Sequence, residues 1–196
     1  PRSCIVGANL GGVSSDETIL YDNSTAMAQT LFLVVDGYDP GAAGSYELLV
    51  NLAVQPVSPP GDTCGNAVAI TPGALNQETT VGYANNYSPT PGCTGYNEPG
   101  DDKVYSVSVG AGKTVTATVT PIAPTSMADP AVYFLPNLAA CVPSPTACLA
   151  GSDSGGAGAA ESVSYTNTGM SAVTVFLVVD TDAPVPFTYD LVVSVL

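Results

Sequence analysis

The string Gly151-Ser-Asp-Ser-Gly-Gly156 sets Ser154 on a glycine-rich turn, where a nucleophile could be displayed. A serine nucleophile needs a base to take its proton, commonly a histidine. The chain has no His, and neither Lys sits in a Ser-x-x-Lys setting. The string therefore reads as a turn. Paired carboxylates are the second chemistry to weigh, because two acids flanking one bond can hydrolyse a glycoside. Asp101-Asp102 is the adjacent pair and Asp180/Asp182 the next closest. Adjacent residues on a strand point to opposite faces, so Asp101 and Asp102 should not converge on one bond. No residue set for catalysis can be named, and the expectation is a protein that is not an enzyme.

Calcium is the more serious possibility. It takes 6–8 oxygens from carboxylates, backbone carbonyls and waters, usually in loops. Asp101, Asp102, Asp129, Asp153 and Asp180 all fall at expected strand ends or in loops, so several could meet at one edge. They form the candidate metal set, although no EF-hand or nonapeptide spacing is present. No other cofactor is called for. A carbohydrate ligand would need exposed aromatics to stack against. There is no Trp, but Tyr83, Tyr87, Tyr96 and Asn97 lie in a loop-rich region and could make a polar-aromatic patch. Such tyrosines also serve to cover a loop's own core.

Charge narrows the partners. Three basic residues stand against 17 acidic ones, a formal net charge of −14. Gripping a phosphate backbone takes clustered Lys or Arg, and Arg2, Lys103 and Lys113 are scattered. Nucleic acid is excluded, and an anionic membrane surface would repel the chain. The longest apolar runs, Leu31–Val35 and Val175–Val179, are strand-sized and far below the ~20 residues of a spanning helix. No membrane insertion is expected.

The elements that must position these residues are strands. In Thr114-Val-Thr-Ala-Thr-Val-Thr120 every second residue is Thr, which gives one polar and one apolar face. The same period puts Tyr105, Val107 and Val109 together, and likewise Phe187, Tyr189, Leu191, Val193 and Val195. Ala172–Val179 is apolar on both faces and should lie centrally. Ala67–Thr71, Glu78–Ala84, Ala131–Leu135 and Glu161–Asn167 are further candidates. About eight strands result, punctuated by 20 Gly and 17 Pro, and no stretch has a capped helical period. An antiparallel β-sandwich of jelly-roll-like type accommodates them. Val107, Val115, Val119, Phe176, Leu177, Val179, Tyr189 and Leu191 should fill its core.

The chain also repeats itself. Cys4-Ile-Val-Gly7 matches Cys148-Leu-Ala-Gly151, an offset of 148 − 4 = 144. Gly11-Gly12, Glu17, Tyr21 and Asn23 match Gly155-Gly156, Glu161, Tyr165 and Asn167. Phe32-Leu-Val-Val-Asp36 matches Phe176-Leu-Val-Val-Asp180. After a one-residue slip, Ser45-Tyr-Glu-Leu-Leu-Val50 matches Thr188-Tyr-Asp-Leu-Val-Val193. Asp36 is thus the counterpart of Asp180. Valine-rich strands can look alike by chance, but here Cys, paired Gly, Tyr, Asn and Asp align with the apolar positions. Residues 1–54 read as the second half of a repeat, 55–60 as a Pro-rich linker, and 61–196 as a complete repeat.

Five cysteines, none in a CxxC pair and with no His, argue against zinc. Cys141 and Cys148 enclose a Pro-rich loop and are expected to bond, leaving Cys64 with Cys93 and Cys4 unpaired. The alternative is five unrelated buried thiols. Disulfides imply an oxidising compartment, hence an extracellular protein, secreted or on the cell surface. By the offset, the partner of Cys4 would match Cys141 and precede residue 1.

Asp101-Asp-Lys-Val-Tyr105 followed by Gly110-Ala-Gly-Lys-Thr-Val115, then Asp129-Pro-Ala-Val-Tyr-Phe-Leu135, Ala150-Gly-Ser-Asp153 and Val175-Phe-Leu-Val-Val179 leading to Tyr189-Asp-Leu-Val-Val193, resemble the bacterial pre-peptidase C-terminal domains and related secreted repeats. Asp62-Thr-Cys-Gly-Asn-Ala67 through Cys93-Thr-Gly95 looks like their cysteine-bearing versions. The resemblance implies a non-catalytic sandwich that accompanies secreted exoenzymes or stands in tandem on surface proteins, with calcium, collagen or polysaccharide bound by some members. Two functions follow as expectations. One is a structural or adhesive module of a tandem-repeat surface protein, a filament subunit included, with residues 1–54 completed by copies of itself or by an upstream segment. The other is an accessory domain that binds polysaccharide or protein substrate for a secreted hydrolase.

Overall fold

The computed structural model describes residues 4–9, 15–21, 29–37, 41, 44–52, 58–89, 93–124 and 126–196. The chain divides into two compact units, Pro1–Ala53 and Val54–Leu196.

The second unit is an all-β sandwich. Its strands are β1 (Val68–Ala69), β2 (Gly73–Thr79), β3 (Lys103–Val109), β4 (Thr114–Ala123), β5 (Pro130–Leu135), β6 (Ala150–Ser152), β7 (Glu161–Thr166), β8 (Val173–Thr181) and β9 (Thr188–Val195). One sheet runs β1-β3-β8-β5-β6 and the other β2-β9-β4-β7. All pairings are antiparallel except β1 with β3. Two single 3₁₀ turns, Cys64–Asn66 and Leu138–Ala140, complete the regular structure of the described residues.

Alternation decides what faces inward. Tyr105, Val107 and Val109 from β3, Val132 and Phe134 from β5, and Val175, Leu177 and Val179 from β8 meet Val115, Ala117, Val119, Val163, Tyr189, Leu191 and Val193 of the facing sheet. On the outer face of that second sheet, Thr114, Thr116 and Thr118 share hydroxyl hydrogen bonds of 2.8, 2.8 and 3.0 Å with Thr166, Ser164 and Ser162 across the β4–β7 pair. The threonine period of the sequence is this ladder. β8 lies between β3 and β5, the central place its two-sided apolarity predicts.

The outer face of the first sheet is not polar. Val104, Tyr133, Leu135 and Val178 form a second, smaller core with Cys64 and Tyr87, against which Phe176, Cys141 and Cys148 pack. Phe176 therefore belongs to this outer cluster and is only half-buried. The expectation that it fills the main core is corrected by the alternation, which sends Val175 and Leu177 inward. Two disulfides staple the loops over this cluster, Cys64–Cys141 and Cys93–Cys148. The same four cysteines are bonded as expected, but with partners exchanged. Cys141 and Cys148, at the two ends of their loop, each reach the loop system before β3 rather than one another. Cys4 is free and exposed. Through the 144 offset its counterpart's partner is Cys93, not Cys141.

Two strand expectations also shift. Residues 78–84 were expected as a strand, but β2 occupies Gly73–Thr79, broken by a register shift between Leu75 and Glu78 where Gln77 has φ 57°. β6, three residues long, has no counterpart in the expectations.

The described residues of the first unit carry no strand. Leu33 is 47%, Val34 80% and Leu48 53% exposed, whereas Leu177, Val178 and Leu191, their counterparts in the sandwich, are all at 0%.

Candidate functional site

One end of the first sheet gathers carboxylates. Asp129 immediately precedes β5, Asp153 follows β6, and Asp182 lies just past β8. Because β8, β5 and β6 are neighbours, with Pro130 opposite Thr181 and Val132 opposite Ser152, the antiparallel pairing delivers all three to the same edge. The Asp182 amide donates to the Asp129 carbonyl at 3.1 Å, and the Gly100 amide donates to the Thr181 carbonyl at 3.1 Å, which ties the preceding loop there. Together Tyr96, Asp129, Asp153, Ser154, Gly155 and Asp182 line an open cleft of about 280 Å³.

Glu98, in the loop that precedes β3, is fully buried. Its Oε1 accepts a hydrogen bond from Thr94 Oγ1 at 2.6 Å, while its Oε2 is buried with no partner. Asp129 Oδ1 is likewise buried and unpartnered. Burial first, then the charges of Asp153, Asp182 and Asp129, push the Glu98 carboxyl up to about 7. Burial and the charges of Asp129, Asp182 and Glu161 push Asp153 up to about 6. Asp129 is raised by burial and by Asp182 and Glu161. Among the described residues, no Lys or Arg acts on these carboxyls. Lys103 is held elsewhere, on Glu78 at 2.6 Å.

Glu161, also buried, is satisfied differently. It accepts from Ser152 Oγ, from the Ser154 amide at 3.0 Å, and from the Gly155 amide. The Gly151–Gly156 string is thus a turn wrapped around a carboxylate, and Ser154 Oγ turns to Glu161 at 3.4 Å.

A second carboxylate group lies under the loop that carries Tyr87. Asp102 Oδ2 accepts from the Asn86 and Tyr87 amides at 2.7 and 2.8 Å, and its Oδ1 is buried and unpartnered. Asp180 accepts from Tyr133 Oη at 3.1 Å and from the Thr181 amide at 2.8 Å. Burial pushes Asp102 up to about 8 despite its two amide donors, with Asp62 and Asp101 adding to the rise. Asp180 rises well above the carboxylate range through burial and then through Asp102.

The five aspartates proposed from sequence therefore divide. Asp129 and Asp153 share the cleft, Asp102 and Asp180 are buried in the second group, and Asp101 is acted on by Asp62. The cleft adds Asp182, visible in sequence beside Asp180, and its three aspartates act on Glu98, which no period or motif marks. Among the described residues no three His, Cys, Asp or Glu side chains are arranged as a ready metal site. The four residues of the expected aromatic patch have different surroundings. Tyr87 is 5% exposed, and its Oη accepts from the Cys64 amide at 2.9 Å, so its ring offers no surface for stacking. Tyr83 donates to the Pro60 carbonyl at 3.0 Å and lies under the Lys103 ammonium. Tyr96, on the cleft, and Asn97 are exposed.

No family model matches the chain, and it matches no curated protein and no solved structure.

Proposed function

We propose that the chain is a non-catalytic, extracellular structural module of a tandem-repeat surface protein, and that residues 1–53 are completed by first-half strands of the same repeat. The observation that carries this reading is the pairing scheme. β7 pairs only with β4, β8 with β3 and β5, and β9 with β2 and β4. The last three strands of the sandwich are therefore never bonded to one another. Residues 15–52 repeat the sequence of β7, β8 and β9, so they correspond to the strands whose partners all come from the other half. A set of three strands with no mutual pairing cannot build a sheet, and its apolar residues stay exposed, as Val34 and Leu48 are. Open strand edges and apolar faces of this kind recruit a complement.

A first half of the same repeat, like β1 to β6, would supply the partners these strands lack, whether from a copy of the chain or from a further segment. The two disulfides support the extracellular placement, and among the described residues no helix is long and apolar enough to cross a membrane. The resemblance of the complete repeat to pre-peptidase C-terminal domains supports a module without chemistry of its own.

The test is to place a copy of residues 61–144 directly before Pro1 of the full chain. Pro1 then occupies the position of Pro145, and Cys4 meets the copied Cys93. Cys4 should lose its thiol reactivity, and amides of residues 30–36 and 45–52 should become protected from hydrogen exchange. Continued reactivity of Cys4 together with unchanged exchange overturns the proposal.

A further inference from the structure

In the sandwich, three side chains of the last two strands bond across to the first half of the repeat. Asp180, on β8, accepts from Tyr133 Oη of β5 at 3.1 Å. Tyr189 Oη, on β9, lies 2.8 Å from Tyr105 Oη of β3. Because Tyr105 donates to Glu78 Oε2 at 2.9 Å, Tyr189 is the donor of that pair. Asp190 Oδ1 takes the Gln77 amide at the β2 bulge, at 2.9 Å. Asp180, Tyr133, Tyr189 and Tyr105 are all fully buried. The first unit carries the same three positions. Phe32–Asp36 matches Phe176–Asp180, and Ser45-Tyr-Glu47 matches Thr188-Tyr-Asp190, so Asp36, Tyr46 and Glu47 correspond to Asp180, Tyr189 and Asp190. The local conformation at the first of them is repeated as well. The Gly37 amide donates to Asp36 Oδ1 at 2.9 Å, as the Thr181 amide does to Asp180 Oδ1 at 2.8 Å. Yet all three are exposed, Tyr46 to 68%.

We propose that Asp36, Tyr46 and Glu47 select the complement of the first unit, by bonding a tyrosine hydroxyl of its β5, a tyrosine hydroxyl of its β3 and the free amide of its β2 bulge. This rests on the reading that a first half of the same repeat completes residues 1–53. Apolar side chains such as Val34 and Leu48 can be covered by any strands of suitable shape, so they discriminate little. A carboxylate or hydroxyl that becomes buried without a partner is costly, and discrimination comes from penalties of that kind. A first half with Phe in place of Tyr105 and Tyr133 would cover the same apolar residues and leave Asp36 and Tyr46 unpaired. The partner that fits is therefore a first half that keeps both tyrosines and the bulge.

The assay is the fusion that places a copy of residues 61–144 before Pro1, read by hydrogen exchange at residues 30–36 and 45–52. Tyr133→Phe, made in the copied segment only, should raise the opening equilibrium of these amides about tenfold, and so should Asp36→Ala. The two changes together should cost no more than either alone, because the same bond is lost in all three variants. Tyr46→Phe and Tyr105→Phe in the copy should be coupled in the same way. Glu47→Gln keeps an acceptor for the bulge amide and should retain the protection that Glu47→Ala loses. Amides of residues 161–195, in the intact sandwich of the same molecule, should be unchanged throughout and report that each variant is folded. Protection in the parent fusion that the single changes leave unaltered, or that they lower independently of one another, overturns the assignment of these residues and leaves the docking reading in place. Absent protection in the parent fusion overturns both.

Discussion

Glu161 and Asp102 are both buried acids, yet their surroundings give them opposite consequences. Glu161 is the hub of the turn it grips. Glu161→Ala leaves the Ser154 and Gly155 amides without their acceptor and should cost about 2–4 kcal/mol in urea unfolding. A loss under about 0.5 kcal/mol would show that the turn holds without it. Asp102 has two amide donors on one oxygen and none on the other, and its folded pKa lies above its unfolded one. The folded state then binds the extra proton, so the stability Asp102 contributes is fully present below about pH 4 and is lost as pH rises toward about 8. Asp102→Asn keeps an oxygen for the two amides and removes the titration. The variant should flatten the fall in melting temperature between pH 5 and 8 (roughly the window set by the two pKa values). An identical slope in wild type and variant would assign the pH dependence to other groups. From sequence, Ser154 reads as a turn residue because the chain has no His and no Ser-x-x-Lys setting. What the turn does instead depended on Glu161, whose role no local pattern discloses.

At the scale of strands, alternation was a sound guide wherever it was strict. β3, β4, β7 and β9 fall close to where the period of two puts them. β8 also falls in place, but a strand apolar on both faces does not say which face is the main core. Leu177→Ala should cost about 2–5 kcal/mol, and Phe176→Ala, on the half-buried outer cluster, clearly less. Equal losses would mean the outer cluster is as tightly packed as the inner one. β2 was misplaced because its bulge at Gln77, whose amide is taken by Asp190 Oδ1 at 2.9 Å, breaks the alternation that reveals a strand. The disulfides escaped the sequence for a related reason. Closeness along the chain favoured a short Cys141–Cys148 loop, but strand ends place each cysteine opposite a distant one, at separations of 77 and 55 residues. Long closed loops restrict the unfolded chain most, so removing Cys93–Cys148 by a double Cys→Ala change should cost about 2–5 kcal/mol. Non-reducing peptide mapping that recovered a Cys141–Cys148 fragment would contradict the pairing. Gly151 sits where a Cβ would overlap the Cys93 carbonyl, which ties β6 to that disulfide.

For the molecule as a whole, the sandwich was legible because it is written in short-range periods. The convergence of carboxylates at one sheet end was not, since it comes from which strands are neighbours. The same limit hid the two-core construction, in which an apolar outer face is roofed by disulfide-stapled loops. Apart from its complement, the first unit should be the more accessible to protease. Limited digestion of the full chain should cut within residues 15–52 first and leave a resistant fragment containing residues 61–196. Cleavage that begins inside β3 to β9 would contradict this division of stability.

The interleaved pairing of β7, β8 and β9 also sets a timetable. A polypeptide delivered N-terminus first presents residues 15–52 before β1 to β5. When β1 to β5 appear, residues 15–52 are already out and residues 161–195 have yet to emerge. At synthesis rates of about 5–20 residues per second, this interval lasts seconds, long beside the microseconds in which a hairpin forms. On the repeat reading proposed above, the two second halves would compete for the same partners in the order of their birth, and Cys93, bonded to Cys148 in the sandwich, would record the outcome. A preceding first half already seated on residues 15–52 removes the rival before the contest opens.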